Sequence, residues 1–258
     1  MKNFEGKLIL ALTLWVLVVF AYHAFLTFND VGNAPYYTSW VFHDCVSKNF
    51  FSVPTNEPLL TAYSVLVAKC SNDSYHYYAP LSDFLGFFLG LKLLFALVFV
   101  ALFYCVWKAG KGELGLLLYV AAGWNWLTTA IAGGTLAFTI ILLLAAFTIA
   151  FWRKLSKSHK VLLALIALLT HNLGGWFFVL FMLVMQAFGE KRGLIAATVL
   201  SLVALLFTFL FFSNPINSGS PLEYRPVYLV TLFGAILFSR NYYESKVVKR
   251  EWLSRLKR

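Results

Sequence analysis

Long uninterrupted apolar runs constrain this chain more than any other feature. Leu8–Phe28 is the first, Phe84–Trp107 the second, and Leu114–Trp152 is longer than one membrane-crossing helix needs. A helix covers the hydrocarbon core of a bilayer with roughly 20 apolar residues, so each run meets or exceeds that length. Composition agrees: 60% of the residues are hydrophobic and only 12% are charged, against about 25% in an ordinary soluble domain. With a mean hydropathy of +0.76, these numbers predict an all-α, polytopic integral membrane protein forming a single membrane domain over residues 1–258.

The segment count follows from turns and charge. Gly133-Gly134 divides the third run into a hairpin. Val161–Phe188 reads either as one overlong helix or as a short hairpin turning at His171-Asn172-Leu173-Gly174-Gly175. The hairpin reading gives eight segments, adding Gly193–Phe212 and Pro226–Ser239, and puts 17 of the 21 Lys and Arg inside. Three (Lys48, Lys69, Arg225) then lie outside, and Lys92 lies within a span. The single-helix reading leaves nine inside and eleven outside. The positive-inside rule selects the first. The expectation is therefore eight segments with short central hairpins, in the plasma membrane, with both termini cytoplasmic and a basic tail over 240–258. The net charge of +10 is thereby explained as orientation plus contact with anionic membrane lipid, and requires no nucleic acid.

Residues 29–83 are too long for a bare connector. Asn33 with Pro35, and Asn56 with Pro58, read as starts of two juxtamembrane helices ending near Cys45 and Cys70. An external cysteine pair in an oxidising compartment is expected to form a disulfide worth about 3 kcal/mol, the alternative being two free thiols. Zinc is disfavoured, because His43 and His76 lack ligand-like spacing. Asn72-Asp73-Ser74 is a glycosylation sequon consistent with an outer loop.

Unexplained polarity collects at the outer segment ends: Asn29-Asp30, Trp124-Asn125-Trp126, His171-Asn172 and Glu223-Tyr224-Arg225. A carboxylate at an outward cavity can act as a general base or a metal ligand, and a His and an Arg opposite it can hold a phosphate. Each residue also has a plainer reading. Asp30 serves as a solvated interfacial acid, His171 as a helix cap, Arg225 as a partner of lipid phosphate or Glu223, and Lys92 as a snorkelling cation. The chain contains no zinc-protease motif, nucleophile elbow, phosphate-binding loop or dinucleotide fingerprint.

In layout the chain resembles the GT-C superfamily of membrane glycosyltransferases, which use polyprenyl-phosphate-linked sugars. The resemblance rests on Asp30 after the first apolar run, on Tyr78-Ala79-Pro80-Leu81, similar to an aromatic-Pro-Pro-Leu segment, and on Glu223-Tyr224-Arg225-Pro226, similar to a late Arg-aromatic motif. The chain is shorter than most members and has one acid where many have a pair. The resemblance implies transfer of a sugar to an acceptor at the outer face, with Asp30 as catalytic base or metal-binding acid and Mg²⁺ or Mn²⁺ as the cofactor. It further implies that Arg225 holds the donor phosphate. His171, placed by topology alone, joins it, with Asn172, Lys92 and Tyr224 as further substrate-binding candidates. The alternative is a non-enzymatic transporter or a scaffold subunit of a larger membrane complex. A transporter is expected to carry mid-membrane ionisable groups and internal repeats; Lys92 is the one such group, and no repeat is present.

Overall fold

The computed structural model describes residues 45–49, 70, 80–89, 91–133, 136–211 and 225–256. Its principal elements are seven α-helices: α1 (Pro80–Leu89), α2 (Leu91–Ala109), α3 (Glu113–Gly133), α4 (Leu136–Phe151), α5 (Lys157–Thr170), α6 (Asn172–Phe211) and α7 (Arg225–Leu256). A 3-10 turn, Trp152–Lys154, follows α4. No strand occurs among the described residues.

The helices form a bundle around α4, the most apolar of them. Phe95, Phe99, Leu102 and Phe103 of α2 pack with Ile141, Leu142 and Ile149 of α4, and Met185 of α6 with Leu232 and Ile236 of α7 complete the core. Phe95, Phe99 and Phe103 recur every four residues, so they form a single ladder of rings down one face of α2, with centroids 4.9 and 5.9 Å apart. Phe181 of α6 stacks on Phe233 of α7 at 5.1 Å.

This architecture corrects the expectation of eight membrane segments. Among the described residues, one stretch, Leu136–Lys154, is long and apolar enough to cross a membrane by length and composition. Even its most apolar window is 67% buried inside the protein. The reason lies in how the apolar runs are used. Phe84–Trp107 is divided between α1 and α2. Pro226–Ser239 is the first half of a 32-residue helix that continues through Arg240 and Glu244. An apolar run satisfies burial against other helices as readily as against lipid, and run length alone does not distinguish the two. The plasma-membrane localisation with two cytoplasmic termini rested on the segment count and is overturned with it. The first apolar run, Leu8–Phe28, lies outside the described residues, as does most of 29–83.

The chain reversals have local causes. Between α5 and α6, His171 leaves helical geometry and its Nδ1 accepts the Gly174 N–H at 2.9 Å, capping the start of α6. A side chain at Gly175 would come within 2.6 Å of the Leu168 backbone, so only glycine lets the two arms pack this closely. At Gly189 (φ 74°) α6 is interrupted, in a backbone region that side chains rarely adopt.

Candidate functional site

The helix ends meet at a charged pole. The α2–α3 reversal there is a Schellman turn: the Gly112 N–H bonds the Trp107 carbonyl at 3.1 Å and the Lys111 N–H bonds that of Lys108 at 3.2 Å. The residue in the left-handed position is Lys111 (φ 62°), where glycine is the usual occupant. A lysine there costs about 1 kcal/mol or more. Gly112 (φ 154°) follows, with the ring of Tyr243 lying directly on it.

The middle of α7 clasps this turn. Ser239 donates to the Gly110 carbonyl at 2.7 Å, and the Tyr243 hydroxyl donates to Glu113 at 3.0 Å. Burial, then the Glu113 carboxylate, push the Tyr243 phenol upward. Arg240 is the central clasp. Its Nε donates to the Ala109 carbonyl at the end of α2, and its Nη2 to the Ile149 carbonyl near the end of α4 at 3.3 Å. Its Nη1 reaches Glu190 at 2.7 Å. One guanidinium thus satisfies carbonyls of two helices that have run out of intrahelical donors, and ties both to α6.

Two carboxylates are each shared by two cations. Glu190 holds Arg240 on one oxygen and Arg153, at 3.0 Å, on the other. Burial works to raise the Glu190 carboxyl, but the two guanidiniums outweigh it and hold it below its ordinary value. Glu244 holds Lys111 at 3.0 Å and Lys191 at 3.1 Å. The hydrogen bonds from Lys111, then Lys191, lower its carboxyl as well. These groups surround a cavity of about 100 Å³, backed by Leu194 and Leu237. With four cations and two carboxylates it carries a surplus of two positive charges.

Basic residues continue from the pole onto α5. Ser156 caps that helix, accepting the His159 N–H at 3.3 Å. Lys160 lies 3.6 Å over the Trp152 ring and donates to Gln186 at 3.0 Å. Lys154 and Lys157 are exposed beside it. Past this rim, large apolar side chains face outward at helical spacing. Val161, Leu162, Leu165 and Leu169 do so on α5, and Trp176, Leu180 and Leu183 on the returning arm of α6. Beyond Gly189, Ile195, Val199, Leu202 and Leu206 form a further exposed stripe.

The sequence-derived candidates lie elsewhere or outside the description. Asp30 and Tyr224 are outside the described residues, and Lys92, Asn172 and Arg225 lie on helices whose backbone alone is described at those positions. His171 is 7% exposed, contacts the Phe138 ring edge-on at 6.2 Å and caps α6. Phe138 also packs on Tyr228, one turn from Arg225, so His171 and the start of α7 share one region. A disulfide joins Cys45 to Cys70, with Cα atoms 5.8 Å apart. Among the described residues, no group of three or more His, Cys, Asp or Glu could hold a metal ion. Asp30, the expected ligand of Mg²⁺ or Mn²⁺, is not among them. None of the cavity residues was singled out from sequence. A usable signal existed in Glu190 and Glu244, two of only 11 acids, each set among basic residues.

Comparison with known proteins finds no match among family models, curated proteins or solved structures. The resemblance to GT-C glycosyltransferases is therefore corrected. It depended on a polytopic membrane layout, whereas the described chain is a packed helix bundle with one helix long and apolar enough to cross a membrane. The glycosyltransferase expectation falls with that layout, and so does its alternative of a membrane-embedded transporter or scaffold.

Proposed function

We propose that this protein is a binding module for anionic amphiphiles of the phospholipid kind. The carrying observation is the joining of an exposed aliphatic face on the α5–α6 hairpin to a basic rim at one end. Exposed apolar stripes of this extent mark a surface that something covers. A second protein chain would meet Lys154, Lys157 and Lys160 as unpaired charges at the edge of an apolar contact. An anionic lipid meets them with its headgroup while its chains lie along Val161, Leu165 and Leu169. Lys160, whose ammonium sits over the Trp152 ring and donates to the neutral Gln186, keeps its full charge at that boundary.

Trp176, exposed on the α6 stripe, reports the contact. Full-length protein is titrated with vesicles of phosphatidylcholine alone and of phosphatidylcholine with phosphatidylglycerol, both with brominated acyl chains. The expected outcome is tighter, salt-sensitive binding to the anionic vesicles, with quenching that is smaller in Trp176→Phe. Equal binding to both vesicle types, or quenching unchanged by Trp176→Phe, refutes the reading.

A further inference from the structure

We infer that the cavity at the charged pole is a binding site for a dianionic phosphate group, supplied either by a phosphomonoester lipid headgroup or by free phosphate. Four features carry this. Lys111, Arg153, Lys191 and Arg240 outweigh Glu190 and Glu244 by two charges, the charge of one phosphate monoester near neutral pH. The volume, about 100 Å³, admits several waters and hence one tetrahedral oxyanion. The donors are held in advance: each carboxylate anchors two cations from different elements, and Arg240 is fixed by two carbonyls besides. Within that same held arrangement each lysine ammonium spends only one of its three donors on Glu244, which leaves donors for a ligand.

The fourth feature is Lys111 itself. Glycine would relieve the left-handed backbone of the Schellman turn, yet the chain places a lysine there and aims its ammonium at the cavity. Strain kept at a position that collects charge points to binding rather than folding. Arg240 acts as a positioning residue, since its donors go to Ala109, Ile149 and Glu190. Lys111, Lys191 and Arg153 are the contacts.

This backbone makes the test clean, because Lys111→Gly removes the ammonium while relaxing the turn. Binding of inorganic phosphate to full-length protein is followed by ³¹P line broadening and calorimetry, with dimethyl phosphate as a monoanionic diester. Wild type is expected to bind phosphate and to bind dimethyl phosphate at least tenfold more weakly. Lys111→Gly and Lys191→Ala are expected to lose at least tenfold in phosphate affinity with no loss of thermal stability in Lys111→Gly. Lys246→Ala, outside the cavity, is expected to match wild type. Phosphate affinity unchanged in Lys111→Gly, or equal affinity for the diester, overturns the inference.

A second arm, which alone rests on the lipid reading above, compares vesicles containing phosphatidate with vesicles containing phosphatidylglycerol. A phosphatidate preference lost in Lys111→Gly assigns the phosphate to a lipid headgroup. Phosphate binding without that preference assigns it to a free phosphate. Absence of both phosphate binding and the preference refutes the site, while the acyl-chain quenching result judges the lipid reading separately.

Discussion

Replacing Arg240 with alanine removes at once the donor to the Ala109 carbonyl, the donor to the Ile149 carbonyl and the nearer of the two cations on Glu190. The guanidinium is only 12% exposed, so water replaces these bonds poorly. Each buried carbonyl left without a donor costs about 1–3 kcal/mol. Breaking a buried ion pair by deleting one partner costs about 3–5 kcal/mol. Glu190 keeps Arg153 and is itself partly solvated, so the ion-pair contribution falls to about 1 kcal/mol, and with about 1 kcal/mol for each carbonyl the whole clasp comes to about 3 kcal/mol. For a chain of this size that corresponds to a fall in Tm of roughly 6–12 °C. Arg240→Lys restores one charge but not the fork that spans three elements, so it is expected to recover about half of the loss. Guanidinium unfolding followed by far-ultraviolet circular dichroism measures both, with Lys246→Ala as a surface control expected to lie within about 0.5 kcal/mol of wild type. In a double-mutant cycle, Arg240→Ala and Glu190→Ala are expected to be non-additive by about 1 kcal/mol or more. A loss under about 1 kcal/mol in Arg240→Ala, or Arg240→Lys indistinguishable from wild type, refutes the clasp.

Two further outcomes follow from the same geometry. His171→Ala deletes the cap on Gly174 and is expected to destabilise by about 1 kcal/mol, with His171→Asn recovering most of it in the same unfolding assay; an Ala variant as stable as wild type shows that the ring does not cap α6. The Glu190 carboxyl is held below its ordinary value of 4.5, so the unfolded chain binds more protons in the interval between the two values. Its stabilisation is therefore complete above 4.5 and lost as pH falls through the folded value, and a denaturation midpoint measured from pH 6 down to pH 3 is expected to fall less steeply in Glu190→Gln.

Much of the local structure was legible in sequence because its causes are local. α3 ends at Gly133, and His171 lies where α5 stops and α6 begins, because glycine and a side-chain cap act on their own few residues. The basic flanks of the apolar runs fall at helix ends, and several of those ends meet at one pole. The environment of the apolar runs was not legible. Phe95 and Ile141 sit in runs that look alike to a bilayer and to a neighbouring helix. The candidate site fared similarly. Asp30 and Arg225 attracted notice as isolated polar residues beside apolar runs, whereas Lys111, Lys191 and Arg240 counted only as topological charge.

The sequence alone determined that the chain is helical where described, where several helices stop, and that its cations cluster at their ends. These follow from interactions within a few residues: apolar runs, caps and the glycine requirement of tight turns. Only the tertiary structure decided that Glu190 joins Arg153 to Arg240 and Glu244 joins Lys111 to Lys191, across separations of 37 to 133 residues. Charge pairing at that range depends on which helices pack side by side, and packing is set by side-chain shape summed over the core, which no local pattern encodes. The strain at Lys111 belongs with it, since a left-handed lysine acquires meaning only when the cavity it faces is in view.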